Sequence, residues 1–168
     1  MVFGGLPGTG KTTIAQAVAR QTAGVYLRID VIEYALWLAM GRPEDIGEAG
    51  YAIAYAVARS NLGLGRLVIA DSVNPIAATR QAWRAAAADA AATCLQVEVV
   101  CSDEAEHRRR VESRRIDIPM TPPTWDSVVR RTYEPWPEAD LTLDTAQVDA
   151  DEAARRVLAA IGATSRPT

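Results

Sequence analysis

Hydrophobic and polar positions change period repeatedly along this chain. Short apolar runs alternate with longer stretches in which apolar residues recur at i, i+3, i+4 and i+7. The runs predict buried strands and the stretches predict helices. Residues 1–3 read as a very short strand, 11–21 as a helix with Ile14, Ala15 and Val18 on one face, 24–28 as a strand and 30–40 as a helix. "GRPEDIGEAG" (41–50) reads as a loop. A helix follows over 51–62, with Gly63 and Gly65 placed to end it. "RLVIAD" (66–71) is a strand of the buried type, 77–92 an alanine-rich helix and "CLQVEVVC" (94–101) a strand. Residues 103–115 read as a helix with Asp103 and Glu106 at capping-box spacing. "IDIPMTPP" breaks the pattern. A short helix over 124–133 places Trp125, Val128, Val129 and Thr132 on one face. A strand over 140–145, a closing helix over 151–161 and a frayed tail over 163–168 complete the pattern.

Five strands alternating with helices predict an α/β fold, a parallel sheet covered on both faces through right-handed crossovers. With 168 residues and no repeat or low-complexity linker, a single domain is expected. The formal net charge of −3 gives no broad basic footprint, which argues against duplex nucleic acid as a partner. No apolar run is long enough to span a bilayer, so no membrane partner and a reducing cytoplasm are expected. Cys94 and Cys101 lack zinc spacing and are expected as buried free thiols. His107, the only histidine, reads as a surface helix residue. Monomer and homodimer both stay open.

Candidate chemistry begins at "GGLPGTGKTT" (4–13). Gly5, Leu6, Pro7, Gly8, Thr9, Gly10, Lys11 and Thr12 fit G-x-x-x-x-G-K-[ST]. Such glycines let successive N–H groups point at phosphate oxygens, and the helix that follows adds its positive end. Lys11 would reach the β- and γ-phosphates of ATP, the Thr12 hydroxyl would ligate Mg²⁺, and Thr13 continues the nucleotide-binding turn. Lys11 is also the only lysine, so a lysine-bearing guanine motif cannot exist elsewhere in the sequence. The length leaves no room for the second lid domain of a large ring motor. A small kinase needs the loop, a metal carboxylate, a base and a mobile arginine lid. Asp30, at the end of "YLRID", can take the proton of an attacking hydroxyl, and the same residue could also cap the next helix. Asp71 ends "RLVIAD" where a carboxylate reaches Mg²⁺, usually through water; Asn74 can order the turn after it. Seven arginines fall within residues 108–131, with Arg110 and Arg114 spaced to share a helix face. Their guanidinium forks can clamp phosphate, and the proline-rich break after Arg115 suits a segment that closes over ATP.

With these residues in view, the chain resembles the small P-loop kinases of the AAA-like "predicted kinase" group, to which chloramphenicol phosphotransferase, zeta toxin and the polynucleotide kinase domain are similar. "GGLPGTGKTTIAQAVA" looks like their opening, "YLRID" like the strand with their base, "LVIADSVNP" like their Asp-x-x-Asn strand end, and "HRRRVESR" with "TWDSVVRRTYEPW" like their lid. The resemblance implies a P-loop NTPase three-layer sandwich with strand order 2-3-1-4-5 and a small arginine-rich lid near 114–135. It also implies ATP with Mg²⁺ and phosphorylation of an acceptor hydroxyl. Asp30 would be the base, Lys11 and Thr12 the phosphate and metal ligands, and Arg110 and Arg114 the lid arginines. The first strand is shorter than the group's usual opening. No basic residue stands between Arg28 and Arg42, where polynucleotide 5′-kinases hold the acceptor phosphate.

The acceptor pocket is expected from the two helices after Asp30. Residues 30–50 carry Asp30, Glu33, Glu44, Asp45 and Glu48 against Arg42 alone, with Tyr34 beside Trp37 and Tyr51 beside Tyr55 at helical spacing. Aromatic walls with acidic groups suit a neutral or amine-bearing small molecule. A small-molecule hydroxyl kinase is therefore the leading reading. A nucleoside, nucleotide or polynucleotide kinase and a nucleotide-binding regulator with slow ATPase are the alternatives. The lone lysine supplies a direct check. An amine-acylating reagent should label only Lys11 and the N-terminal amine, and saturating ATP should suppress the Lys11 adduct in peptide mass spectra. An adduct yield indifferent to ATP would remove Lys11 from the phosphate site.

Overall fold

Five parallel strands, β1 (Val2–Gly4), β2 (Val25–Arg28), β3 (Val68–Asp71), β4 (Gln96–Val100) and β5 (Leu141–Asp144), form one sheet in the order β2-β3-β1-β4-β5. A computed structural model describes residues 1–114, 117–119 and 121–164. Alternation along the strands feeds two separate cores. Phe3, Ile69, Val97, Val99 and Leu143 meet Ile14, Ala15 and Val18 of α1 (Lys11–Thr22) and Ala153, Ala154 and Val157 of α7 (Ala150–Thr164). On the other face Val2, Val68 and Ala70 meet Ala54 and Ala58 of α3 (Ala49–Leu62) and Trp83 of α4 (Ala77–Ala88). The three-layer α/β sandwich and the strand order expected from the sequence are both present.

Remaining elements stand at the carboxyl ends of the strands: α2 (Ile29–Ala39), α5 (Glu104–Glu112) and α6 (Trp125–Val129). Here several boundaries differ from the periodicity. α5 stops at Glu112, where Ser113 caps it and returns its hydroxyl to the Arg109 carbonyl. Arg110 and Arg114 therefore do not share a helix face. The capping box is half formed: Asp103 accepts from the Glu106 N–H at 3.0 Å, but the Glu106 carboxylate turns to Arg109 and Arg110. α4 ends four residues early, with Ala91 in a left-handed turn. α7 continues through residue 164, so the expected tail at 163 and 164 is helical, and its remainder at 165–168 lies outside the described residues. Arg115 in the lid also lies outside them. Cys94 and Cys101 are free but only partly buried. No helix among the described residues is long and apolar enough to cross a membrane.

Sheet order brings the chemistry together. Phe3 and Arg28 both stand level with Asp71 across the ladder, so β1, β2 and β3 end side by side. The turn after β3 is tied under the glycine loop by Asn74, which is fully buried and has φ 50°, a conformation asparagine tolerates better than most residues. Its side chain donates to the Phe3 carbonyl at 2.9 Å and accepts from the Trp83 indole at 3.1 Å. A Cβ on Gly4 would stand 2.4 Å from the Trp136 ring, so the loop leaves the sheet in a space only glycine fits. Arg80, also buried, stacks on Tyr133 and Trp136 and donates to four carbonyls, which pins the chain at 133–136 beneath the same turn. Asn74→Ala should lower the unfolding free energy by about 3 kcal/mol, the scale of orphaning two buried hydrogen-bonding groups. Urea titration checks it, and a loss below about 1 kcal/mol would remove Asn74 as the tie.

Candidate active site

Gly5, Gly8 and Gly10 hold φ of 141°, 87° and 92°, which wraps the loop back on itself. α1 has no side-chain cap, so the N–H groups of its first turn face the loop interior. The loop is braced from outside by two contacts invisible in the sequence. His107 Nε2 donates to the Pro7 carbonyl at 2.8 Å, with its ring edge-on to Trp125 at 5.2 Å. The Thr145 hydroxyl donates to the Thr9 carbonyl at 2.8 Å. His107 is thus buried against the phosphate loop rather than on the surface. Its spacing of four from Val111, which also packs on Gly8, was the available signal.

Lys11 is 7 % exposed, and burial pushes its ammonium below the usual lysine range. The carboxylates of Asp71 and Asp30 oppose that shift, while Arg114 and Arg28 add to it. Asp71 is buried and accepts from the Tyr26 hydroxyl at 2.7 Å; burial first and Asp71 second push that phenol well up. Arg28 is 5 % exposed, stands 3.5 Å from Asp30, pairs with Asp117 of the lid segment and leaves its Nε without a partner. The sequence reading missed Arg28. A basic residue two positions before an acid at a strand end was the only hint. Among the described residues no group of three His, Cys, Asp or Glu could hold a metal by itself. One hydroxyl, one buried carboxylate and a phosphate loop nonetheless suit Mg²⁺, which keeps waters and binds largely through substrate phosphates.

Two clefts meet at these cations. One, of about 370 Å³, runs along the loop past Gly8, Gly10, Thr12, Thr13 and Arg110. The other, of about 470 Å³, is lined by Asp30, Glu33, Glu48, Tyr51 and Arg131. Lys11, Arg28 and Arg114 line both. Arg110 is fixed at the far end of the first cleft, donating to the Thr145 hydroxyl at 2.7 Å and to Glu106 at 2.7 Å. Asp30 sits in the first turn of α2 with no capping bond, so the capping role expected of it is absent. Its side chain is 40 % exposed, open to a ligand.

Of the four aromatics expected on the acceptor side, Tyr51 lines the second cleft. Tyr55 turns away from it into the core, edge-on to Trp83 at 4.7 Å, because α3 packs that face against α4. Tyr34 and Trp37 stack 6.1 Å apart and wall a further cavity with Glu33, Glu44 and Asp45. Burial, then the neighbouring Asp30, raises the Glu33 carboxyl to about 7, against the pull of Arg131.

Similarity to solved structures extends over nearly the whole chain. The APS kinase of Mycobacterium tuberculosis, in complex with AMPPNP and APS, aligns with a TM-score of 0.73 at 23% identity, covering 96% of this chain and 96% of that one. Kti12 of Chaetomium thermophilum, in complex with ADP-AlF3, aligns at 0.72 and 24% identity over 99% of this chain and 98% of that one. A gluconokinase from Sinorhizobium meliloti 1021 aligns at 0.67 and 18% identity over 98% and 91%. A search among curated proteins finds no match. The sequence profile of the AAA domain matches residues 1–133, and on that match this chain belongs to the AAA domain family, in the fold of the small P-loop kinases.

Proposed function

We propose that this protein is an ATP-dependent phosphotransferase acting on a hydroxyl of a small molecule. The observation that carries this reading is the sharing of Lys11, Arg28 and Arg114 between two clefts, with Asp30 on the side away from the phosphate loop. ATP would lie along the loop, its phosphates on the N–H groups of residues 8–13 and on Lys11. Thr12 directly, and Asp71 through water, would hold Mg²⁺, which supplies charge neutralisation at the phosphates. The acceptor hydroxyl would enter past Asp30. Its oxygen forms a bond to the γ-phosphorus as the bond to the β–γ bridging oxygen breaks, and its proton passes to the Asp30 carboxylate. Lys11, Arg28 and Arg114 stabilise the charge spread over the transferring group. Arg28, held beside Asp30, keeps that carboxylate pointed at the junction. Support for a small acceptor comes from the gluconokinase and from the APS kinase with APS bound. Among the described residues, Arg131 is the one cation on the acceptor side that the phosphate cleft does not share, and Glu33 offsets it.

Asp30→Asn should lower kcat by at least about 100-fold while leaving ATP affinity within a few-fold, as for loss of a general base. A coupled ATP-consumption assay with acceptor reads this. Unchanged turnover would favour an acceptor-free ATPase. Lys11→Ala should abolish ATP binding by calorimetry.

Glu33 gives a pH-dependent check on the acceptor cleft. Its folded pKa of about 7 lies above the reference 4.5, so folding favours the protonated form. The stability it contributes is complete below about pH 4.5 and is lost as pH rises through 7. Glu33→Gln should therefore match the parent Tm near pH 4.5 and exceed it at pH 8. An equal Tm difference at both pH values in thermal denaturation would show that the carboxyl is solvated.

A further inference from the structure

The acceptor cleft continues beyond Asp30. A cavity of about 520 Å³ shares Glu33, Gly47 and Thr121 with it. Trp37 and Tyr34 wall this cavity with rings stacked at 28°, and Glu44 and Asp45 stand at its rim. None of its lining residues among those described is basic. The Trp37 ring already attracts a cation, since the Arg42 guanidinium stands 5.4 Å from its centroid. Glu33 lies where the two spaces join. It is partly buried, held against Gly50 where a Cβ would stand 2.3 Å from its Cγ, and no described residue donates a hydrogen bond to it. Arg131 acts on it across the cleft without a hydrogen bond or ion pair among the described residues, so this partly buried carboxylate keeps its acceptor capacity for a ligand cation.

Spacing narrows the chemistry further. Asp30 and Glu33 are three apart on α2, which sets their Cβ atoms about 5–6 Å apart on one side of the helix. A ligand hydroxyl at Asp30 and a cationic group at Glu33 then belong to the same ring or to adjacent rings. We propose that the acceptor is a hydroxylated amine of the amino-sugar type, its hydroxyl presented to Asp30, its ammonium on Glu33 and its far ring against Trp37 and Tyr34. The inference rests on the phosphotransferase reading. A carboxylate- or phosphate-bearing acceptor would instead meet Glu33, Glu44 and Asp45 with like charge.

The test uses kanamycin, its fully N-acetylated form and gluconate as probes. Each is titrated by calorimetry into protein loaded with AMPPNP and Mg²⁺, then assayed for phosphotransfer from ATP. Kanamycin should bind at least 10-fold more tightly than its N-acetylated form. Glu33→Gln should remove that preference without weakening the N-acetylated probe. Glu44→Gln with Asp45→Asn, both in an exposed loop, should reduce it without touching the packing at Gly50. The inference is overturned if the N-acetylated probe or gluconate binds as well as kanamycin, if the preference survives Glu33→Gln, or if kanamycin fails to bind while AMPPNP does. Asp30-dependent transfer to gluconate would sink the amine alone. ATP turnover with no transfer to any probe and no response to Asp30→Asn would sink the phosphotransferase reading itself.

Discussion

Concentrating positive charge around a loop of inward-facing N–H groups is the constraint on which this structure depends. Lys11 and Arg28 are buried, and buried charge is costly unless it is paired. Three carboxylates meet the cost: Asp71 beneath the loop, Asp30 at the head of α2 and Asp117 in the lid. Each arrives on a different element, and the sheet order sets two of them side by side. Had β2 and β3 not been neighbours, Arg28 would face no Asp71 across the ladder. Bound phosphates would enter this balance as further anions, loosening the hold of Asp117 on Arg28. The lid and the phosphate site are thereby electrostatically linked.

The segment expected to serve as a lid is anchored on both sides. His107 and Val111 seat α5 on the glycine loop, and Arg80 grips the chain at 133–136 from below. Between these points Ile118 and Val128 are buried while Val129 is exposed. Arg114 and Arg131 lie between these two fixed points, in the segment that the sequence suggests would close over ATP.

Much of this was legible in the sequence because its signals are local. The glycine loop, the strand end at Asp71, the place of Asp30 just after β2, and the alternation of strand and helix each rest on residues close in the chain. What was not legible depends on distant partners. Arg28 pairs with Asp117, 89 positions away, and a charged residue in a strand does not announce such a partner. The shared face expected for Arg110 and Arg114 assumed a helix that Ser113 ends. Tyr51 and Tyr55 do neighbour each other on α3, but which of them meets the cleft was decided by where α4 packs. His107 looked solvated because nothing in the sequence says that α5 lies on the loop.

β5 lies beyond the stretch matched by the family profile, yet it completes the nucleotide side. Thr145, at its end, joins Arg110 to the Thr9 carbonyl and so closes a ring of contacts between the loop and α5. A fragment ending at residue 133 would keep the glycine loop, Asp30 and the arginines of 108–131. It would lack the edge strand, the α7 half of one core and the hydroxyl that holds Arg110. The profile-matched segment is thus shorter than the folded unit: its boundary falls before β5 and α7, which complete the sheet and one of the two cores.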